Sequence, residues 1–254
     1  MTTGTGRVAL VTGASQGLGA AVARRLASDG NTVVLVARRA AETEGVAESI
    51  RSSGATAVAM TGDVTAAADM DAVVARTVAS FGSLDILVSN AGVTRDALIH
   101  RMTDEDWSTV IATHLTGAFN AIRAAQRPMV ERGYGRIVLI GSTSSAGWRG
   151  QTNYSAAKAG MHGMARTLAI ELGRFGITVN VVSPGHIDSE LTRGTASRLD
   201  IPYEQMAQSR IDSNSIKRVG SPDDVANAVS FFAGERAGYV TGQILNVSGR
   251  PSMV

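Results

Sequence analysis

A tyrosine and a lysine spaced four residues apart are the residues of this sequence best suited to acid–base chemistry. Tyr154 and Lys158 belong to a run with helical character, Tyr154–Gly173. This spacing puts both side chains on one helix face, one turn apart. A neighbouring ammonium favours phenolate over phenol, so we expect Lys158 to lower the pKa of Tyr154 from its usual value of about 10. The pair therefore predicts a tyrosine that exchanges protons near the working pH.

The composition of the chain argues against a coincidental pairing. There are four Tyr and two Lys among 254 residues, so chance would give only about 0.03 pairs at this spacing. Nearly every other basic residue is Arg. A retained Lys indicates a position that needs a compact ammonium rather than a planar guanidinium. We interpret the pair as part of a catalytic site.

Short β-branched runs alternate with longer helical patterns along the chain. The predicted strands are Val8–Thr12, Thr32–Val36, Thr56–Met60, Ile86–Ser89, Arg136–Ile140, Thr178–Val182 and Gln243–Val247. The predicted helices are Gly17–Asp29, Ala40–Ser53, Ala67–Phe81, Asp104–Arg132, Gln151–Phe175 and Asp223–Gly234. Apolar strands that alternate with helices predict an α/β fold: a doubly wound parallel sheet of about seven strands with helices on both faces.

Three glycines occupy the turn between the first predicted strand and the first predicted helix. The turn reads Thr12-Gly-Ala-Ser-Gln-Gly-Leu-Gly19, with glycines at 13, 17 and 19. Without Cβ atoms the backbone can turn tightly and approach a pyrophosphate, which then sits at the helix N-terminus. The spacing is G-x-x-x-G-x-G rather than the G-x-G-x-x-G of many dinucleotide-binding domains. Its place between strand and helix still predicts a phosphate site.

Charge and composition exclude several classes of partner. The net charge is +2 without a long run of like charge, so we expect neither nucleic acid nor a membrane surface as partner. There is no Cys, which excludes disulfides, thiolate metal sites and a cysteine nucleophile. The histidines lack metal-ligand spacing with carboxylates, so no metal is expected. No apolar run approaches the ~18 residues of a membrane span, and we predict a soluble cytoplasmic protein.

The segment from about Pro184 to Ser221 is the one stretch that we interpret as irregular. It is too long for a simple connection, and long loops in compact domains are usually lids or binding loops. No repeat, low-complexity tract or linker interrupts the chain. We therefore predict one domain, residues 1–254, with a substrate loop at about 184–221.

From about Arg7 to Gly249 the chain resembles the short-chain dehydrogenase/reductase family. The motifs that carry the resemblance are Thr12–Gly19, Asn90-Ala-Gly92, Ser142 with Tyr154-x-x-x-Lys158, and Pro184-Gly185. Their joint occurrence in this order is specific to the family. Within it the chain is most similar to the 3-oxoacyl-acyl-carrier-protein reductases, through the stretch Ala91–Leu98 with Met102 and Trp107 following.

The resemblance implies a Rossmann-type fold and a role for each motif residue. Ser142 would hydrogen-bond the substrate oxygen, and Tyr154 would donate the proton. Lys158 would hold the nicotinamide ribose hydroxyls while lowering the tyrosine pKa. Further cofactor contacts would come from the diphosphate loop (Gly13, Ser15, Gln16, Gly17, Leu18, Gly19), the adenosine side (Asp63, Val64, Asn90, Ala91, Gly92) and the nicotinamide side (Pro184, Gly185, Ile187, Ser189).

One departure from the family pattern touches the chemistry. His114 stands where the family usually has Asn, a residue that kinks its helix so that a main-chain carbonyl binds a water leading to the lysine. Imidazole can also donate or accept a proton, so we retain His114 as a fourth catalytic residue. Its protonation would place a like charge near Lys158. We therefore expect the rate to fall on the acid side as His114 protonates.

Two further departures concern the serine and the C-terminus. The interval from Ser142 to Tyr154 is slightly shorter than usual, which leaves Ser144 as a second candidate for the serine role. Ser248–Arg250 replaces the Gly-Gly end expected of the family, and we expect this to affect only the terminal packing.

The end of the second strand bears on the choice of cofactor. It reads Val36-Ala-Arg-Arg39, where an NAD-selecting member would place an acid against the 2′-hydroxyl. The guanidinium groups of Arg38 and Arg39 suit a 2′-phosphate, which Arg binds in bidentate fashion. Gln16 occupies a position that is often basic in phosphate-selecting members, which argues mildly against NADPH. We predict NADPH, with NADH less favoured.

Three functions remain open on the sequence. The resemblance favours an NADPH-dependent reductase of a 3-oxoacyl thioester or similar β-keto compound, with an acyl carrier protein as partner. A dehydrogenase of the same family that oxidises an alcohol, polyol, steroid or hydroxy acid is the second. A low-activity, cofactor-binding partner of an active paralogue is the third, supported by His114. The resemblance also implies a homodimer or homotetramer paired through helices Asp104–Arg132 and Gln151–Phe175.

Overall fold

One parallel sheet of seven strands runs through the protein. The computed structural model describes residues 6–198 and 200–251, so residues 1–5, 199 and 252–254 of the predicted domain lie outside the described residues. The strands are β1 Val8–Thr12, β2 Thr32–Ala37, β3 Ala57–Thr61, β4 Ile86–Ser89, β5 Gly135–Ile140, β6 Ile177–Pro184 and β7 Ile244–Val247. Their order is β3-β2-β1-β4-β5-β6-β7, and every pairing is parallel. The predicted fold class is confirmed, with strand ends shifted by at most two residues.

Helices cover both faces of this sheet. The α-helices are α1 Gly17–Ser28, α2 Ala40–Arg51, α3 Ala67–Phe81, α4 Asp104–Ile111, α5 Gly117–Arg132, α6 Thr152–Gly173, α7 Glu190–Arg198, α8 Tyr203–Ser213 and α9 Pro222–Ala233. Side chains of α3, α5 and α6 form one hydrophobic core with the sheet, and those of α1, α2 and α9 form another on the opposite face. In the described part of the chain, no helix is long and apolar enough to cross a membrane.

Burial on both faces explains the apolar character of the central strands. Every residue of β1, β4, β5 and β6 is buried. In β5, for example, Ile137 and Leu139 belong to the first core and Val138 and Ile140 to the second. A parallel sheet covered by helices on both sides requires such continuous apolar runs.

The structure corrects two of the predicted elements. The helix predicted over Asp104–Arg132 is interrupted by a π-helical segment, Ala112–Thr116, in which the amide of Gly117 donates to the carbonyl of Ala112 five residues earlier. The segment predicted to be irregular, about 184–221, contains two helices, α7 and α8. Both helices are polar and bury few side chains, so their sequences lack the apolar stripe that marks a helix.

Candidate active site

A cleft of about 1280 Å³ lies at the carboxyl ends of the strands. Strand order reverses between β1 and β4, and open α/β sheets bind ligands at such a switch point. The cleft is lined by every residue that the sequence motifs predicted for the site. They are Gly13, Ser15, Gln16, Gly17, Leu18, Gly19, Arg38, Arg39, Asp63, Val64, Asn90, Ala91, Gly92, His114, Ser142, Tyr154, Lys158, Pro184, Gly185, Ile187 and Ser189.

The glycine-rich loop is held against the end of β4 too closely for side chains. Gly13 has a φ of 66°, and a Cβ there would lie 2.7 Å from the Cα of Ala91. A Cβ on Gly19 would lie 2.5 Å from the Nδ2 of Asn90. That Nδ2 donates to the carbonyl oxygens of Thr12 and Gly13, at 3.0 and 3.1 Å. Asn90 therefore fixes the loop, whose backbone remains open to a ligand phosphate at the start of α1.

Arg39 reaches from the end of β2 to the glycine-rich loop. Its guanidinium donates to the Oγ of Ser15 at 3.0 Å and to the Oε1 of Gln16. Arg38 is more exposed and forms an ion pair of 3.7 Å with Asp63, at the end of β3. Two guanidinium groups thus stand beside the loop, where they can hold a phosphate attached to an adenosine ribose.

Ser142, Tyr154 and Lys158 come together at the ends of β5 and the start of α6. Tyr154 shares a hydrogen bond with Ser142, while the Oγ of Ser142 also accepts from the amide of Ser144 at 3.1 Å. The Nζ of Lys158 is buried and donates to the carbonyl oxygen of Ile140 at 2.6 Å. It lies 5.5 Å from the centroid of the Tyr154 ring. This arrangement brings a serine, a phenol and an amine to one wall of the cleft.

The ionisation of this group differs from the sequence prediction. Burial raises the pKa of Tyr154 to about 12; the hydrogen bond with Ser142 acts in the opposite direction, and Asp96 raises the pKa further. Burial lowers the pKa of Lys158 to about 7. The predicted decrease in the tyrosine pKa is therefore wrong: desolvation raises that pKa, and the amine of Lys158, which is directed to the Ile140 carbonyl, is not among the causes of the shift.

His114 occupies the middle of the π-helical segment and packs against the tyrosine. Its ring meets that of Tyr154 edge to face, with centroids 5.1 Å apart. The Nε2 atom lies 3.1 Å from the amide nitrogen of Val93 and 2.7 Å from its carbonyl oxygen. Among the described residues, Nδ1 has no hydrogen-bond partner although it is buried. The helix distortion expected at this position is thus present with His in place of Asn, and π segments are frequent at functional sites.

Burial also decides the charge of this histidine. It lowers the pKa of His114 to about 3, and the charge of Lys158 contributes to the decrease, whereas the hydrogen bond to Val93 opposes it. A neutral imidazole therefore persists at any pH at which the protein would be assayed. The predicted loss of rate through protonation of His114 is wrong, because desolvation moves its titration below that range.

Asn153, which sequence reasoning missed, positions the tyrosine. It is completely buried, and its Nδ2 donates to the carbonyl oxygens of Arg95 and Asp106 at 2.9 and 3.1 Å. Its Oδ1 accepts from the amide of Tyr154 at 2.7 Å. An Asn directly before the tyrosine, in the first turn of α6, was the available signal, since Asn side chains commonly bond to backbone at helix starts.

The cleft is also lined by residues that the sequence did not single out. Trp148 and Arg149 come from the loop before α6, and Met206 and Arg210 come from α8. His186 also lines the cleft and is stacked on Tyr203, with ring centroids 6.1 Å apart. These residues line the same cleft as Tyr154.

The comparisons with known proteins agree with this geometry. Residues 7–200 match the family described as short chain dehydrogenase. The chain belongs to the short-chain dehydrogenase family. It is accordingly an oxidoreductase of that family.

Relatives of this short-chain dehydrogenase include several named reductases. The 3-oxoacyl-acyl-carrier-protein reductase FabG of Escherichia coli is 39% identical over 250 residues, covering 98% of each chain. The short-chain reductase protein NovJ of Streptomyces niveus is 39% identical over 242 residues, covering 95% of this chain and 92% of NovJ. Among solved structures, a variant of the actinorhodin polyketide ketoreductase with NADPH superposes with a TM-score of 0.92 at 36% identity, covering 98% of each chain.

The C-terminal departure from the family pattern has a larger effect than the sequence suggested. The amide of Gly185 donates to the carbonyl oxygen of Val247 at 2.9 Å, and a Cβ on Gly185 would lie 2.8 Å from that of Ser248. Both Ser248 and Arg250 line the cleft. In this short-chain dehydrogenase the final described residues therefore belong to the site as well as to the packing of β7.

Proposed function

We propose that the protein is an NADPH-dependent carbonyl reductase, acting on a 3-oxoacyl thioester or a similar β-keto compound. The observation that carries the proposal is the grouping of Ser142, Tyr154 and Lys158 in the same cleft as the glycine-rich loop, with the Nζ of Lys158 5.5 Å from the centroid of the Tyr154 ring. Relatives at 39% identity named as 3-oxoacyl reductase and short-chain reductase support the reductive direction.

The residues of the cleft fit a nicotinamide dinucleotide phosphate. A Cβ on Gly13 or Gly19 would collide with neighbouring atoms, so both positions require glycine. Gln16 is the N-cap residue of α1, but its side chain makes no hydrogen bond to the first turn of the helix. The amides of that turn are therefore open to a diphosphate. Arg38 and Arg39 offer a fork of donors for a 2′-phosphate. Bound NADPH would supply the hydride that reduces the carbonyl carbon.

The catalytic residues can supply the proton that the carbonyl oxygen needs during reduction. Addition of a hydride to a carbonyl carbon leaves negative charge on the oxygen, which needs a proton donor and hydrogen bonds as the charge forms. A pKa of about 12 keeps Tyr154 protonated at neutral pH, so its hydroxyl can give its proton to this oxygen. Ser142 can donate a second hydrogen bond to the same oxygen and so orient it.

Lys158 is placed to support both the cofactor and the tyrosine. An ammonium has three donors, and one of them is taken by the carbonyl of Ile140. The other two remain for ribose hydroxyls and for the proton path to Tyr154. Because its pKa is about 7, Lys158 can release and regain a proton near neutral pH.

Turnover of the purified protein tests the proposal. We would measure oxidation of NADPH and of NADH with 3-oxobutyryl-N-acetylcysteamine, a β-keto ester and a set of simple ketones. Reduction of the β-keto compounds with NADPH at the highest kcat/KM is the expected result. Activity that is confined to oxidation of alcohols or polyols would contradict it. A wild-type protein inert on the whole panel, together with an active His114→Asn variant, would instead indicate a low-activity binding partner.

A further inference from the structure

The substrate side of the cleft carries an excess of positive charge. Away from the glycine-rich loop, the cleft is lined by the guanidinium groups of Arg149, Arg166, Arg210 and Arg250. The acidic residues that line this part are Asp96 and Glu190, and Asp96 already accepts a hydrogen bond from Gln151 at 2.9 Å. The local imbalance attracts anions to this end of the cleft.

Arg210 is held in a defined position within this group. Its guanidinium carbon lies 4.1 Å from the centroid of the Trp148 ring, a cation–π contact. The contact joins α8 to the loop before α6, and both residues line the cleft. The planar guanidinium keeps its N–H donors available to a bidentate acceptor while its position is held by the ring.

Nothing in the described residues neutralises this guanidinium. Within residues 6–198 and 200–251, none of the ion pairs includes Arg149, Arg210 or Arg250. Arg210 is half-buried, and both its burial and the charge of Arg250 lower its pKa. Two neighbouring cations at a partly desolvated site without a carboxylate repel each other, and an anion bound between them would remove that repulsion.

We propose that Arg210, supported by Trp148 and assisted by Arg250, binds an anionic group on the substrate. The group is a carboxylate or a phosphate carried on the part of the molecule away from the reacting carbonyl. It comes either from a keto acid itself or from the phosphate of a pantetheine arm to which the acyl group is attached. The inference rests on the proposed function for the identity of the reacting group, but the anion site can be tested without turnover.

Tryptophan fluorescence gives a readout that does not depend on catalysis. The chain has two Trp, and Trp107 does not line the cleft, so a Trp107→Phe background leaves Trp148 as the reporter next to Arg210. The titrants are two matched pairs, each differing by one anionic group. One pair is 3-hydroxybutyryl pantetheine with and without its 4′-phosphate, and the other is the monomethyl and the dimethyl ester of 3-hydroxyglutaric acid. A Tyr154→Phe substitution in the same background prevents oxidation of these 3-hydroxy compounds, and saturating NADP⁺ keeps the titrants out of the cofactor's own phosphate sites.

We expect the anionic member of one pair to bind about tenfold or more tightly than its neutral partner, as for hydrogen bonds to a charged group. Arg210→Met should remove that difference, Arg210→Lys should keep part of it, and Arg76→Met, which removes an exposed charge on α3, should keep all of it. The pair whose anionic member binds more tightly than its neutral partner identifies the source of the anion. If Arg210→Met does not fold, Arg210→Lys and Arg250→Met together provide the comparison.

Two results would overturn the inference. One is equal binding of both members of both pairs to the wild-type background. The other is a preference for the anion that persists in Arg210→Met or, if that variant does not fold, is undiminished in both Arg210→Lys and Arg250→Met. Neither result bears on the carbonyl reductase proposal, whereas a protein that binds the anion but reduces no ketone would contradict only that proposal.

Discussion

The Nε2 atom of His114 lies within hydrogen-bond distance of both the amide nitrogen and the carbonyl oxygen of Val93. One ring nitrogen either donates or accepts, so a neutral imidazole satisfies only one of these two groups. The amide of an Asn side chain has a donor and an acceptor and can satisfy both. His114 therefore preserves the helix distortion while leaving one backbone group of Val93 and its own Nδ1 less well bonded.

Replacement of this histidine should change stability at low pH more than activity. The folded-state pKa of about 3 lies below the unfolded value of 6.5, so the stability due to neutral His114 is complete above pH 6.5 and decreases as the pH falls toward 3. At pH 5 the loss is about 2 kcal/mol. His114→Asn should therefore keep kcat within about threefold and show a smaller fall in Tm between pH 8 and pH 5 than the wild type. Equal falls in Tm would show that His114 is not the titrating group.

Loss of the tyrosine hydroxyl should stop turnover without preventing cofactor binding. Tyr154→Phe removes the proton donor but keeps the ring that packs against His114. We expect kcat to decrease by at least about 10²-fold, and the Kd for NADPH, measured by its fluorescence, to remain nearly unchanged. A variant that retains more than a few percent of kcat would mean that another group donates the proton.

The two serines that follow β5, Ser142 and Ser144, should contribute very differently to catalysis. Ser142 shares the hydrogen bond with Tyr154, whereas Ser144 contacts Ser142 through its backbone amide. Ser142→Ala should lower kcat/KM by about 10²-fold, the effect of losing a donor to a developing oxyanion. Ser144→Ala is the matched control and should change kcat/KM by less than about threefold. The reverse order would assign the serine role to Ser144.

Protonation of Lys158 should appear in the affinity for the cofactor. Burial lowers its pKa to about 7, so the ammonium is lost as the pH rises through that value. Because the ammonium is the form that attracts an anionic cofactor and donates to ribose hydroxyls, the Kd for NADPH should rise above pH 7, approaching tenfold per pH unit. Calorimetric titrations from pH 6 to 9 would measure this slope. Lys158→Met should bind weakly with a Kd that no longer depends on pH in this range; a wild-type slope that survives in the variant would point to another group.

Arg39 should govern the choice between the two nicotinamide cofactors. Its guanidinium bonds to Ser15 and Gln16 on the glycine-rich loop, while Arg38 is paired with Asp63. Arg39→Ala should lower kcat/KM for NADPH by about ten- to a hundredfold, as for loss of a charge-assisted bidentate contact, and should change that for NADH little. Arg38→Asp should shift the preference further toward NADH. A wild type that favours NADH would contradict the assignment of both residues.

The parts of the site that were predictable are those in which chemistry dictates residue type and spacing. Gly13 and Gly19 are required because backbone and Asn90 approach them closely, and Tyr154 and Lys158 must share a helix face. The contact of Arg210 with Trp148 was not predictable in the same way. It joins residues 62 positions apart through a polar helix that has Ala207 as its buried residue.

Ionisation was the other property that the sequence could not provide. The spacing of Tyr154 and Lys158 shows which charges are neighbours, but the pKa shifts of both depend first on burial. Burial is a property of the whole packed structure, including β5, where Ile140 lies, and the π-helical segment that contains His114. A charge argument from sequence alone therefore gave the wrong direction for the tyrosine.

The π-helical segment Ala112–Thr116 also fixes the length of the chain between α4 and α5. It adds one residue to what would otherwise be a continuous α-helix, and each residue of an α-helix turns the chain by about 100°. Winding the same residues as a regular α-helix would rotate α4 by that angle relative to α5. The carbonyl of Asp106 would then turn away from Asn153, which holds the amide of Tyr154. The wide turn of the π-helical segment takes up the extra residue, so that α4 keeps the orientation in which the carbonyl of Asp106 meets Asn153.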